Sequence, residues 1–294
     1  MPGTILDGRR ISNEIREELR QRVGALATLG IVPTLVGFLV GEDPGSASYV
    51  RLKEKAAREV GLKAEMLRLP TDCSQEELRA RLFEVSQRTD VHGIFVQLPL
   101  PPHIDESAVL SAIAPEKDID GFHPENVGRA WLGQESFAPA TPAGIIELLT
   151  RTGYTDLRRR HAVIVNTDSL VGKPTAALLL QDHIGADVTI CHPDSPDIGE
   201  WTRRADLLVV SVNRPRFITA DMVKVGVIAV DFGSNYIDDP SAPRGQRLVG
   251  DIDFEAVRAK AEAITPVPGG LGPMTVTMLL AHTVTAAERA CGRR

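Results

Sequence analysis

The 294-residue sequence predicts an α/β protein of two lobes, each built on a mostly parallel sheet. Three observations predict it. Short apolar runs alternate with segments of helical periodicity, which is the pattern of βαβ units. The pattern restarts after residue 140, as a second lobe requires. The chain is long enough for two domains of ordinary size, and 43% of its residues are hydrophobic.

The elements follow in order. Ile11, Ile15, Leu19, Val23 and Leu26 recur at spacings of three and four, predicting an amphipathic helix over 11–29 with Gly30 as its stop. The apolar run Thr34–Val40, bounded by Pro33 and the loop at 41–45, predicts a buried strand. Ser46 is the expected N-cap of a helix reaching about Val60, with Gly61 as its stop. Ser74-Gln75-Glu76-Glu77 is a capping box that opens a further helix. Residues 94–98 form the next apolar strand, ended by a Pro-rich segment. In the second lobe, Thr141 as N-cap and Pro142 open a helix to about Leu149. Strands are expected at 162–165, 187–191, 207–212 and 227–231, and a last helix at about 275–290.

Composition excludes several function classes. Thirty-three Lys and Arg against 39 Asp and Glu give a net charge of −6, which opposes broad binding to nucleic acid phosphates. Only 4% of residues are aromatic, too few for base-stacking platforms. Cys73, Cys191 and Cys291 are too scattered for a disulfide framework or a metal knuckle, and no HExxH-type spacing points to a metal. The first ten residues already carry charge and no apolar run approaches the ~18 residues of a membrane span. A cytoplasmic protein with no membrane or nucleic-acid partner is expected.

Four stretches carry candidate chemistry. Tyr49 and Lys53, four apart on a predicted helix, share a face. A lysine held there away from water can work as a general acid or base, although the same spacing also occurs on solvated helices. Gln97 ends an apolar strand, where open sheets place ligand contacts; satisfaction by nearby backbone is the equal alternative. In Lys117-Asp118-Ile119-Asp120-Gly121-Phe122-His123-Pro124, a carboxylate can serve a turn or a ligand, and His123 before Pro124 reads as structural. The run from Thr265 to Thr275 holds three prolines and three glycines just before a helix, a stiff loop whose backbone can approach a ligand closely.

Together these motifs resemble the bifunctional methylenetetrahydrofolate dehydrogenase/methenyltetrahydrofolate cyclohydrolase family. They are Y-x-x-x-K, G-I-x-V-Q-L-P-L-P, K-D-x-D-G-F-H-P-x-N-x-G-R and T-P-V-P-G-G-x-G-P-M-T, met in order along the chain. The resemblance implies an α/β folate-binding catalytic lobe, residues 1–141 plus 271–294, and a Rossmann-type nucleotide-binding lobe, residues 142–270. It implies Lys53 as the catalytic lysine, supported by Tyr49 and Gln97. Asp120 would grip the pterin through paired N–H bonds, and Pro268 and Gly269 would line the folate pocket. Thr141, Asn166, Thr167, Asp168, Ser234 and Thr275 fall at cofactor-side positions. A homodimer is also implied.

The cofactor side departs from the family pattern. Its G-R-S-x-x-V-G-x-P loop reads Asn166-Thr167-Asp168-Ser169-Leu170-Val171-Gly172-Lys173-Pro174, and its C-H-S reads Cys191-His192-Pro193. The cysteine of P-C-T-P is Ala140 and the glycine of A-x-G-x-P is Asn213. In the family the altered Arg and Ser positions hold the 2′-phosphate of NADP. Losing one charge-assisted bond costs ~1.5–3 kcal/mol, at least roughly tenfold in affinity. Asp168 is therefore expected to disfavour NADP and to bond ribose hydroxyls, favouring NAD as the cofactor over NADP, the family default. The activity implied is oxidation of 5,10-methylenetetrahydrofolate to the methenyl form and hydrolysis of that to 10-formyltetrahydrofolate. The alternatives are a cyclohydrolase with a weakened dehydrogenase step, or a non-catalytic folate- or nucleotide-binding regulator, which would not need Lys53.

Overall fold

The computed structural model describes residues 2–242 and 245–292, which form two compact units. The first unit comprises Asn13–Ala140 and the described residues from Val276 on; the second comprises the described residues up to Ser12 and Thr141–Thr275. Strand β1 (Thr4–Ile5) pairs in parallel near the other end of the chain, with Thr4 opposite Ala263. The first residues thus belong to the second unit, unlike the expected division at 1–141. A two-residue strand has no periodicity to read, and its partner decides its place.

Helix α1 (Gly8–Ala27) begins before the expected Ile11, and all five of its predicted apolar positions are buried. Strand β2 (Thr34–Val40) is buried throughout. Helix α2 (Pro44–Glu59) is capped by Asp43, whose carboxylate accepts from the Ser46 N–H at 2.7 Å; Ser46 lies inside the first turn rather than at the cap. Strand β3 (Lys63–Leu69) was not expected, because as an edge strand it is partly exposed and lacks an apolar run. Ser74 caps helix α3 (Gln75–Gln87) as the motif predicts. Strand β4 (Gly93–Val96) ends before Gln97, and short helices α4 (Glu106–Leu110) and α5 (Pro124–Trp131) follow.

The first unit's sheet has the order β3-β2-β4, all parallel. Val36, Phe38, Leu78, Leu82, Ile94 and Val96 form its core. The chain leaves β2 toward β3 and returns to the other side of β2 as β4. The carboxyl ends of β2 and β4 therefore form a switch point, where such sheets place ligands.

Helix α6 (Ala140–Arg151) starts two residues earlier than expected, so Thr141 stands in its first turn and is not the cap. Strand β5 (His161–Val165), helix α7 (Gly172–Leu179), strand β6 (Asp187–Cys191), helix α8 (Ile198–Thr202), and strands β7 (Leu207–Val210) and β8 (Ile228–Asp231) follow. The hairpin of β9 (Asn235–Asp238) and β10 (Gln246–Val249), helix α9 (Phe254–Arg258) and strand β11 (Ala263–Ile264) precede the last helix, α10 (Leu271–Ala290). The second unit's sheet, β1-β11-β8-β7-β5-β6, is parallel at every pairing. Its switch point lies between the carboxyl ends of β5 and β7.

Candidate active site

At the first unit's switch point a lysine sits in an apolar setting. Lys53, on α2, is only 5% exposed. Its Nζ stands 4.1 Å from the centroid of the Phe95 ring and 5.7 Å from that of Tyr49. Burial lowers the lysine's hold on its proton, and the nearby Asp120 carboxylate opposes that shift. Burial likewise raises both the Tyr49 phenol and the Asp120 carboxyl, which is 7% exposed. The residues form one electrostatic group: burial lowers the lysine's hold on its proton and raises that of the neighbouring carboxyl, while the two charges favour each other.

Phe95 carried no signal in the sequence beyond being one apolar residue in a strand. It reaches Lys53 because its cross-strand partner is Gly37, where a Cβ would lie 2.4 Å from the Phe95 ring. Only a residue without a side chain lets the ring lie across β2.

Gln97, just past β4, donates its backbone N–H to the Phe38 carbonyl at 2.8 Å and its side-chain Nε2 to the Leu98 carbonyl at 2.7 Å. Its Oε1 is buried and accepts no hydrogen bond among the described residues. An unmatched buried carbonyl oxygen is costly, and it leaves an acceptor for a ligand donor or an ammonium. Backbone satisfaction and availability for a ligand thus coexist, one on each arm of the amide.

The two aspartates of the Lys117–Pro124 motif divide their work. Asp118, 1% exposed, accepts from the Gly121 N–H at 3.1 Å, the His123 N–H at 2.7 Å and Asn126 Nδ2 at 2.9 Å. It ties the loop into shape and leaves Asp120 for chemistry. Gly121 has φ of +76°, and a Cβ there would lie 2.5 Å from the Phe137 carbonyl oxygen, so only glycine fits. Lys117 donates to the carbonyls of Ser86 and Arg88 at the end of α3. His123 Nδ1 accepts from the Glu125 N–H at 3.1 Å and caps α5, the structural part its position before Pro124 suggests.

A further support came without a sequence signal. His282 on α10 bonds the Ile119 carbonyl through Nδ1 at 2.8 Å, next to Asp120, and its ring lies 5.2 Å from Phe137. Burial holds this imidazole down at about 4, so it is neutral and donates.

In the second unit, Thr141 and Thr275 are brought together, their hydroxyls 3.1 Å apart. Asn166, 7% exposed, is spent on the loop: Oδ1 accepts from the N–H groups of Asp168 and Gly172, each at 2.9 Å, and Nδ2 donates to the Ser211 carbonyl at 2.7 Å. That last bond ties the ends of β5 and β7 together. The Asp168 carboxylate accepts from the backbone N–H groups of residues 170–172. Thr167 is half-buried beside it, and Ser234 is exposed ahead of β9. Pro268 follows a cis peptide bond and Gly269 has φ of +111°.

The loops after β7 and β8 are held by two buried aspartates. Asp251 accepts from the N–H groups of Val212, Asn213 and Arg214, and Asp231 from those of Gly233, Asp251 and Ile252. Asn213 has φ of +54°, a conformation asparagine tolerates, which accounts for its standing where the family pattern has glycine. Among the described residues, no group of three or more His, Cys, Asp or Glu is placed to hold a metal ion, and no helix is long and apolar enough to cross a membrane.

Comparison with known proteins adds to this geometry. Residues 6–120 match the family model "Tetrahydrofolate dehydrogenase/cyclohydrolase, catalytic domain", and residues 139–291 match its "NAD(P)-binding domain". The chain is 48% identical over 289 residues to the bifunctional protein FolD of Chloroherpeton thalassium, covering 97% of this chain and 98% of that one. Among solved structures, it resembles the bifunctional FolD methylenetetrahydrofolate dehydrogenase/cyclohydrolase of Campylobacter jejuni, with 44% identity, a TM-score of 0.92, and coverage of 97% and 99%. It also resembles the Trypanosoma brucei dehydrogenase-cyclohydrolase complexed with NADP and an inhibitor, with 36% identity, a TM-score of 0.93, and 99% of both chains covered.

Proposed function

Because this chain belongs to the tetrahydrofolate dehydrogenase/cyclohydrolase family and carries both of its domains, we propose a one-carbon folate enzyme whose proton chemistry runs through Lys53. The enzyme is a bifunctional dehydrogenase and cyclohydrolase, an oxidoreductase and a hydrolase. Its substrate is 5,10-methylenetetrahydrofolate. Loss of a hydride from the methylene carbon leaves the methenyl cation. Water then adds to that carbon, a proton leaves, and a ring C–N bond opens to give 10-formyltetrahydrofolate.

The observation that carries the roles is the burial of Lys53 Nζ against Phe95 and Tyr49, within the field of Asp120. A lysine weakened by burial can take the proton from the adding water and return it to the departing ring nitrogen. Gln97 Oε1 supplies the acceptor that orients the ammonium, and Tyr49 shields it from water. Asp120, free of the loop bonds that occupy Asp118, receives the paired N–H donors of the pterin. Pro268 and Gly269 are proposed as folate-contacting positions on the strength of the resemblance alone.

A bound nicotinamide dinucleotide supplies the hydride acceptor. The second unit's parallel sheet and switch point fit such a ligand, and Thr141, Thr275 and Ser234 are the side chains proposed to approach it. NAD in preference to NADP is the finer reading, supported by Thr167 and Pro193 where the family pattern has Arg and Ser. A cytoplasmic homodimer is proposed with it, which light scattering of the purified protein checks. Steady-state assay of Lys53→Gln tests the catalytic assignment: methenyl hydrolysis falls at least ~100-fold while folate binding stays measurable. Hydrolysis at the wild-type rate would overturn it.

A further inference from the structure

An ion pair stands at the carboxyl ends of the second unit's strands. Asp194 lies in the loop after β6 and Arg214 in the loop after β7, and β5 runs between those two strands. Arg214 Nη2 donates to Asp194 Oδ1, so the pair bridges from one side of β5 to the other. Both side chains stay open to solvent, Asp194 61% and Arg214 45% exposed.

The base of the arginine is fixed. Its backbone N–H donates to Asp251 Oδ1 at 2.8 Å, and that fully buried carboxylate also takes the N–H groups of Val212 and Asn213. The guanidinium carbon lies 5.4 Å from the centroid of the Phe217 ring. Across the pair, the Asp194 N–H donates to His192 Nδ1 at 3.1 Å. Asp194 Oδ2 stands 3.8 Å from that same nitrogen, too far for a hydrogen bond, and takes no donor among the described residues. The hydrogen bond from Arg214 holds the Asp194 carboxyl below its ordinary range, so it is charged at neutral pH. One carboxylate oxygen is used and one is left.

In parallel sheets that bind dinucleotides, the acid that accepts from the adenosine ribose comes about 20 residues beyond the first strand–helix turn, and a nearby arginine accommodates a 2′-phosphate instead. Strand β5, helix α7 and strand β6 form such a unit here, and Asp194 follows its second strand. Both kinds of residue are present, but each is paired with the other. The carboxylate matches the arginine's charge, so the pair offers a 2′-phosphate no net positive charge. The remaining oxygen is an acceptor, which suits a hydroxyl that donates and opposes a phosphate rich in acceptor oxygens.

We propose that Asp194, held by Arg214, selects the dinucleotide: its remaining oxygen takes the 2′-hydroxyl of the adenosine ribose of NAD and repels the 2′-phosphate of NADP. The inference rests on the family reading above and deepens it, naming a residue behind the NAD preference. Arg214 is a positioning residue. It sets the direction of the carboxylate and, once that carboxylate is removed, becomes the partner a 2′-phosphate needs.

Calorimetric titration of NAD and of NADP, separately, into the wild-type protein and the Asp194→Asn, Asp194→Ala and Asp194→Ala/Arg214→Ala variants tests this. The wild type is expected to bind NAD more tightly than NADP. Asp194→Ala should weaken NAD roughly tenfold and tighten NADP roughly tenfold, because Arg214 is then free for the 2′-phosphate. Asp194→Asn keeps the shape and an acceptor oxygen, so it should retain most of the NAD affinity while still tightening NADP. Adding Arg214→Ala should abolish the NADP gain without restoring NAD. Equal or tighter binding of NADP by the wild type would overturn the proposal. So would variants that change both dinucleotides by the same factor, which is the result of a loop tether without selectivity, and so would no binding of either by any of the proteins. If an alanine variant does not fold, the asparagine variant carries the same comparison. Hydrolysis of methenyltetrahydrofolate by the wild-type protein, assayed without dinucleotide, separately tests the family reading.

Discussion

Lys53 Nζ lies 4.1 Å from the centre of the Phe95 ring, over the one position of β2, Gly37, that has no side chain to push the ring away. The ring face is a weak partner for an ammonium, worth about 0.5–2 kcal/mol depending on how far the charge is desolvated. It partly offsets the burial that lowers the hold of Lys53 on its proton.

Replacing Phe95 with leucine removes that partner and keeps the site apolar. The charged form of Lys53 loses support, so its proton leaves at lower pH. The Lys53-dependent limb of the pH profile for methenyl hydrolysis should move toward acid by about 0.4–1.5 pH units. A move toward alkali would contradict the cation–π assignment.

Gly37→Ala forces a Cβ to within 2.4 Å of the Phe95 ring. Overpacking of this kind costs about 1–3 kcal/mol, and displacing the ring disturbs Lys53 as well. Stability and hydrolysis should fall together. Adding Phe95→Leu should restore much of the stability, a non-additivity that a double-mutant cycle of denaturant midpoints measures.

Asp118 and Asp120 should separate cleanly. Asp118→Ala strands the buried N–H of Gly121 and its neighbours, at about 1–3 kcal/mol for each unsatisfied group, and should lower the melting temperature. Asp120→Ala removes a buried carboxyl that makes none of those loop bonds. It should weaken folate binding while leaving the melting temperature equal or higher. Thermal melts paired with folate titrations distinguish the two patterns.

His282 makes stability depend on pH on the acid side. Its proton affinity in the folded protein sits at about 4, below its ordinary value of 6.5. Between those values the unfolded chain binds a proton that the folded one does not, so stability present above pH ~6.5 is lost as pH falls toward ~4. The melting temperature should drop across that window, by roughly 2–4 °C for each kcal/mol lost. His282→Gln, which titrates no proton there, should flatten the drop.

Much of the fold was legible because it is local. The spacing from Ile11 to Leu26, the capping box at Ser74 and the apolar runs of β2 and β5 each state their structure within a few residues. Lys53, Gln97 and Asp120 were legible as a motif set, and the tertiary structure brings all three into one unit. Strand β3 was not, because an edge strand need not be apolar, and neither were Phe95 and His282, ordinary residues whose importance comes from what they touch.

Neighbouring residues along the chain were enough to read the α/β class, the two-lobed plan and the chemistry of the motifs. Helix and strand periodicity and the identity of acids, bases and amides are properties of neighbouring residues. Which unit β1 joins, which of the two motif aspartates stays out of the loop bonds, and where the Asp168 carboxylate goes emerge once the chain is folded. Each of those depends on a bond between groups whose pairing no spacing encodes: Thr4 with Ala263, Asp118 with Asn126, Asp168 with the head of α7. A charge at position 168 is visible in the chain; that its own backbone claims that charge is a fact of geometry.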